Sequence, residues 1–162
     1  MMNVIRALVA LAFFTTCSAA AAADGVIALK SPYSPKKTMN RLEEIVKQRG
    51  LNVFARIDHA AGAAKTGQSL PPTELLIFGN PQGGTPLMAC AQTVGIDLPL
   101  KALVWEDASR QVWLGYNDPS YLAQRHGIEN CPAIKNLRKA LTGIMKATVA
   151  KQAGLSSKQK QP

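Results

Sequence analysis

The sequence predicts an α+β domain built on a mainly antiparallel sheet. Two observations carry this. The chain reads as strand, helix, four strands, helix, with short extra helices between them, instead of the strict strand–helix alternation of parallel-sheet folds. Strands three to five are also apolar at both parities (Leu75, Leu76, Ile77, Phe78; Leu103, Val104, Trp105; Val112, Trp113, Leu114). A sheet with one wet face alternates, so both faces of this one require cover. One short chain carries little helix for that, and a second copy or an apolar ligand is expected over part of the second face.

The first strand is "GVIALKSP", ended by Pro32. In "YSPKKTMNRLEEIVKQRG", Ser34 is placed to cap a helix, Pro35 fits its first turn, and Gly50 ends it. Met39, Leu42, Ile45 and Val46 give that helix one apolar stripe. Lys36 and Lys37 lie in its first turn, where the helix dipole disfavours cations; a solvated pair and an acidic partner are both compatible with them. "NVFARID" is the second strand, and the small-residue stretch "AAGAAKTGQSLPP" after His59 allows a short helical turn. "TELLIFG" is the third strand, while "KALVWED" and "QVWLGYN" form a hairpin about Ala108-Ser109.

Between strands three and four stands "LIFGNPQGGTPLM", rich in glycine and proline. A phosphate loop needs a lysine and a hydroxyl residue directly after its last glycine. Here Thr85 and Pro86 follow Gly84, so the stretch is read first as a structural turn in which Thr85 caps a short helix, Pro86 opens it and Gly95 closes it, with an anion site at that free helix N-terminus as the alternative. "YNDPSYLAQRHG" repeats that device with Asp118, Pro119 and Gly127. The last helix opens near Asn130-Cys131-Pro132 and places Ile134, Leu137, Leu141, Ile144, Met145 and Thr148 on one side, with Lys135, Lys139 and Lys146 on another.

The chain ends suggest a destination. "MMNVIRALVALAFFTTCSAAAAAD" has one basic residue, a short apolar core and an Ala21-Ala22-Ala23 cleavage site before Asp24, the pattern of a secretory signal peptide over residues 1–23. Its apolar part is too short to span a bilayer, and Phe14-Thr15-Thr16 before Cys17 does not suit lipidation. Export, most simply to a periplasm, is therefore expected. The rest divides into a domain over 24–130, an amphipathic basic helix over 131–154 and a polar tail over 155–162 expected to be disordered.

The formal charge of +9 is unevenly spread. Asp24 to Ile134 holds eleven Lys or Arg against ten Asp or Glu, whereas Lys135 to Pro162 holds seven basic residues and no acid. A basic helix of this kind suits weak association with anionic membrane or acidic envelope polymers. Nucleic acid is not an expected partner, because export removes the usual target and only Tyr121 is aromatic in the last forty-odd residues. A homo-oligomer or an envelope partner is expected instead.

In an oxidising compartment Cys90 and Cys131 can bridge. Equally, Cys90 shares a helical face with Leu87, Ala91 and Val94, where a thiol acts as a small apolar side chain. His59 and His126, with Met88, are candidate metal or haem ligands, although neither histidine sits in a C-x-x-C-H or H-E-x-x-H motif. His59, Glu74, Lys101, Glu106, Tyr116 and His126 are candidate ligand-binding groups near strand ends. Each also has a structural explanation, as has Asp118, a cap. No serine occupies a nucleophile elbow. The expectation is a non-enzymatic binding module with no cofactor assigned, and a metal or haem protein using His59 and His126, or an enzyme of unknown reaction, as alternatives.

Three segments, "PTELLIFGNPQGGTPLM", "GIDLPLKALVWED" and "VWLGYNDPSYLAQRHGI", in this order, resemble the domain-of-unknown-function family 302 from about Gly25 to Ile128. The resemblance implies a compact α+β domain similar to the TATA-binding-protein-like arrangement. It implies no activity, and Cys90, Cys131 and the basic tail lie outside the positions that carry it.

Overall fold

The computed structural model describes residues 24–151. The signal-peptide expectation for 1–23 and the tail expected over 155–162 lie outside them. Five strands, β1 (Val26–Ser31), β2 (Asn52–Asp58), β3 (Thr73–Gly79), β4 (Leu100–Glu106) and β5 (Val112–Asn117), form one sheet in the order β1-β5-β4-β3-β2. Every neighbouring pair is antiparallel. Five helices accompany them: α1 (Pro35–Gln48), α2 (His59–Lys65), α3 (Pro81–Cys90), α4 (Pro119–His126) and α5 (Pro132–Val149).

The longest two helices, α1 and α5, pack on each other and on one face of the sheet. The α1 stripe of Met39, Leu42 and Val46 is fully buried against Leu76, Phe78, Val104 and Leu114 from the central strands and Leu141, Ile144 and Met145 from α5. Residues 132–149 are thus part of the core, and Lys135, Arg138, Lys139 and Lys146 lie on the exposed side of α5. Buried polar groups are satisfied: Ser31 and Thr38 share a hydroxyl hydrogen bond of 2.7 Å, and the Thr38 hydroxyl also reaches the Ser34 carbonyl at 2.9 Å.

The end of α5 is held across the helix layer. Arg41 donates from Nε to the Thr148 carbonyl (2.9 Å) and from Nη2 to the Ala147 (3.1 Å) and Ala150 (3.3 Å) carbonyls, and the Tyr33 hydroxyl donates to Ala150 at 2.7 Å. These bonds satisfy carbonyls that a helix end leaves without intrahelical partners.

The segment before α3 departs from expectation. Asn80, not Thr85, is the cap: its side-chain oxygen accepts from the Gly83 amide at 2.8 Å and its carbonyl from the Gly84 amide at 3.1 Å. Pro81 takes the opening position, and Pro86 lies inside the helix. Asn80-Pro81 offers the same cap-and-proline device five residues earlier than Thr85-Pro86, and the helix starts at the first one, forgoing the hydrogen bond that Pro86 cannot donate. The helix also ends earlier than Gly95, because Ala91 is extended (φ −155°) and a 3₁₀ turn over Gln92–Ile96 follows.

The β4–β5 turn is fastened by Asp107. Its carboxylate accepts from the Ser109 hydroxyl (2.6 Å), the Ser109 and Gln111 amides (2.9 Å each) and the Trp113 indole N–H (2.7 Å). These donors, the Ser109 hydroxyl foremost, lower its pKa to about 2.

Candidate functional site

A single-residue irregularity prepares the site. Register shifts between Val53 and Ala55 on β2, and the intervening Phe54 is left 56 % exposed beside the end of the sheet. Its ring meets one end of a cleft of about 650 Å³ bounded by α3, by α5 and by the Pro99–Leu100 end of β4. From α5 the lining is Ala133, Asn136, Leu137, Ala140, Leu141 and Ile144, spaced as one helix face. From the α3 side, Gly83 and Gly84 present backbone instead of side chains; a Cβ on Gly84 would stand 3.3 Å from Leu98.

None of the lining residues carries a charge. Asn80 is engaged in capping α3, so the polar side chains left to orient a ligand are Gln82, Thr85 and Asn136. The volume lies within the range of small-molecule sites, roughly 300 to 1,000 Å³, and an apolar lining with a few polar groups is their common composition. An ionic ligand would lose its hydration there without a counter-charge, whereas a neutral apolar one would lose little.

Cys90 closes α3 and Cys131 precedes α5, and the two stand at disulfide distance, with Cα atoms 6.2 Å apart. They lie beside a second apolar cluster of Leu87, Val94, Ala123, Ile128 and Ile134. Leu87 is the sole buried residue of α3, so this helix depends heavily on its attachment to α5.

The candidate residues from sequence do not converge. Asp58 pairs with Glu74, Glu74 with Val104 and Glu106 with Val112, which places His59, Glu74 and Glu106 at one end of the sheet. Lys101, Tyr116, Met88 and His126 belong to the other, separated by the length of a seven-residue strand, about 20 Å. His59 and His126, the histidines expected as metal or haem ligands, therefore stand farther apart than the span of one metal's ligands. Among the described residues, no group of three or more His, Cys, Asp or Glu stands together as a metal site.

Most of these residues also have partners. Arg56 donates to both oxygens of Glu74, from Nε and from Nη2 (3.0 Å), and reaches Glu43 at 3.1 Å; the hydrogen bond to Glu74 is the leading cause of its raised pKa. Glu106 lies 4.0 Å from Arg110, and Tyr116 is buried in the main core. Lys101 donates to the Asp97 (3.3 Å) and Pro99 (3.2 Å) carbonyls. His126 is fixed between Asp97 Oδ2 (Nε2, 2.7 Å) and the Thr93 hydroxyl (Nδ1, 3.0 Å), which fastens α4 to the segment ahead of β4. His59 is exposed at the first position of α2. Met88 alone lines the cleft. Of its other lining residues, Gly79 to Leu87 fall in the glycine- and proline-rich stretch read from sequence as a structural turn, and the rest read there as ordinary core or turn.

The sequence pattern of a family described as "Domain of unknown function DUF302" matches residues 27–148. Among curated proteins, "Fluoride-specific ion channel FluC 1" of Brucella suis biovar 1 is 49% identical over 132 residues, which cover 80% of this chain and 50% of that protein. "Fluoride-specific ion channel FluC 1" of Brucella abortus biovar 1 is likewise 49% identical, with 47% of its length covered. The chain thus spans about half the length of the curated relatives it matches. Among solved structures, an uncharacterized conserved DUF302 protein from Bacillus stearothermophilus aligns with a TM-score of 0.63 at 24% identity, covering 78% of this chain and 97% of that one. At that identity the likeness concerns the fold.

Proposed function

The chain belongs to the DUF302 family, a domain of unknown function, and on that premise we propose that it is an exported, non-enzymatic module that binds a small, uncharged, mainly apolar ligand between α3 and α5. One observation carries this: the cleft of about 650 Å³ has no charged residue in its lining. Export is supported by the pattern of residues 1–23 and by two cysteines standing at disulfide distance. The proposal keeps the TATA-binding-protein-like arrangement as the fold type, which by itself carries no function.

The test is titration of the purified protein with the neutral apolar fluorophore N-phenyl-1-naphthylamine, alongside native mass spectrometry of protein recovered from cells. Ala140→Phe fills the cleft from an exposed position of α5. Binding by the parent, weakened about tenfold or more in the variant, is the expected result. Absence of both co-purified mass and probe binding, or equal binding by the variant, would refute the proposal.

A second role follows from the relatives. A domain 49% identical to this one occurs within proteins named fluoride-specific ion channels and twice its matched length. Among the described residues no helix is long and apolar enough to cross a membrane, so this role makes the chain an accessory to an ion-transporting membrane protein. Cells lacking the chain would then lose fluoride tolerance; unchanged tolerance would rule the role out.

A further inference from the structure

The second face of the sheet is an apolar surface on the side away from α1 and α5. Side chains alternate along a strand, so with Leu76, Ala102, Val104 and Leu114 beneath α1 and α5, the opposite face carries Ile57, Leu75, Ile77, Leu103, Trp105 and Trp113. Ile57 is 39 % exposed, and the other five remain half-buried. Trp105 and Trp113 stack at 6.2 Å between ring centroids, and a Cβ on Gly115 would come within 2.8 Å of the Trp105 ring, so Trp105 lies across the glycine. Charges are marginal: Lys30 stands at the β1 edge, 5.4 Å from the Trp113 ring, and Lys101 turns to carbonyls at the strand end.

We propose that this face packs against the same face of a second copy of the chain, forming a sheet-on-sheet homodimer. Area supports it. Five strands about 4.8 Å apart and about 20 Å long give each copy a face of roughly 500 Å². Two such faces bury about 1,000 Å², the lower bound for a specific interface, before side-chain relief is counted. Shape supports a copy over an unrelated partner, since identically twisted sheets pack face to face at about −30° and interdigitate across about 10 Å. Edge pairing is disfavoured, because β2 carries a bulge with Arg56 and Asp58, and β1 carries Lys30 followed by Pro32.

Sedimentation equilibrium of protein purified after full-length expression, at about 1 to 100 μM, tests this directly. The expected result is a dimer whose tryptophan emission shifts to the red on dilution, as Trp105 and Trp113 become wet. Leu103→Glu at the centre and Ile57→Glu at the exposed edge strand each place an unpaired carboxylate in the interface and should weaken association by roughly tenfold or more. Circular dichroism checks that they fold, and if Leu103→Glu does not, Ile57→Glu decides. A wild-type monomer at the highest concentration overturns the proposal, as does a folded Ile57→Glu protein with unchanged association. So does a monomer whose tryptophans are shielded only by added membrane vesicles.

Discussion

Removing the Cys90–Cys131 link should cost about 4 kcal/mol, the loop-entropy value for its sequence separation of 41 residues. The link joins the last residue of α3 to the residue before α5, across a helix that buries only Leu87 by itself. Most of the loss should therefore appear as a global shift in stability, with an additional local loosening of α3. The assay is urea and thermal unfolding of three samples: untreated protein, protein reduced with a thiol, and the double variant Cys90→Ser/Cys131→Ser. Reduced and variant samples should coincide, below the untreated one, with a melting temperature lower by roughly 10 to 15 °C. Amide exchange in α3 should accelerate more than in α1, whose Met39, Leu42 and Val46 are anchored independently. A difference below about 1 kcal/mol between untreated and reduced protein would refute the reasoning, because no closed loop would then constrain the unfolded chain.

Gly115→Ala should destabilise by about 1 to 3 kcal/mol and change tryptophan emission, since the added methyl must displace the Trp105 ring; thermal melts followed by circular dichroism and by tryptophan fluorescence check it. The Asp107 pKa, lowered to about 2, lies below the unfolded aspartate value, near 3.9. The stability it gives is therefore present above about pH 4 and fades as pH falls towards 2. In Asp107→Asn the unfolding midpoint should lose that part of its acid dependence, measured between pH 2 and 5. Phe78→Ala removes a fully buried ring from the main core and should cost about 3 to 5 kcal/mol by urea titration. Binding to anionic vesicles, if it runs through Lys135, Lys139 and Lys146 on the exposed side of α5, should decline with salt and on replacing all three by Gln; sedimentation with vesicles measures it.

Strands were legible because their apolar runs are bounded by turn formers. "TELLIFG" lies between Pro72 and Asn80 and folds as β3 over the same seven residues. The helix α1 was legible because Ser34, Pro35 and Gly50 agree with its apolar stripe. The start of α3 was not, since Asn80-Pro81 and Thr85-Pro86 carry equivalent signals and only the packing distinguishes them. The cleft left no mark on any one segment: Phe54, Leu100 and Leu137 become neighbours of one cavity only after the bulge in β2 and the attachment of α3 to α5. Conversely, His59 and His126 looked promising by residue type, and strand direction drives them apart.

Arg41 and Tyr33 pin the last turn of α5 to α1, within the layer of helices on one side of the molecule. The lysines of α5 lie on its exposed side. A chain resting on a negatively charged bilayer through this helix would turn its tryptophan-bearing side towards the aqueous space. Attachment and pairing would then occupy opposite sides, so a lipid-bound pair could stand with one copy on the surface and the other held above it.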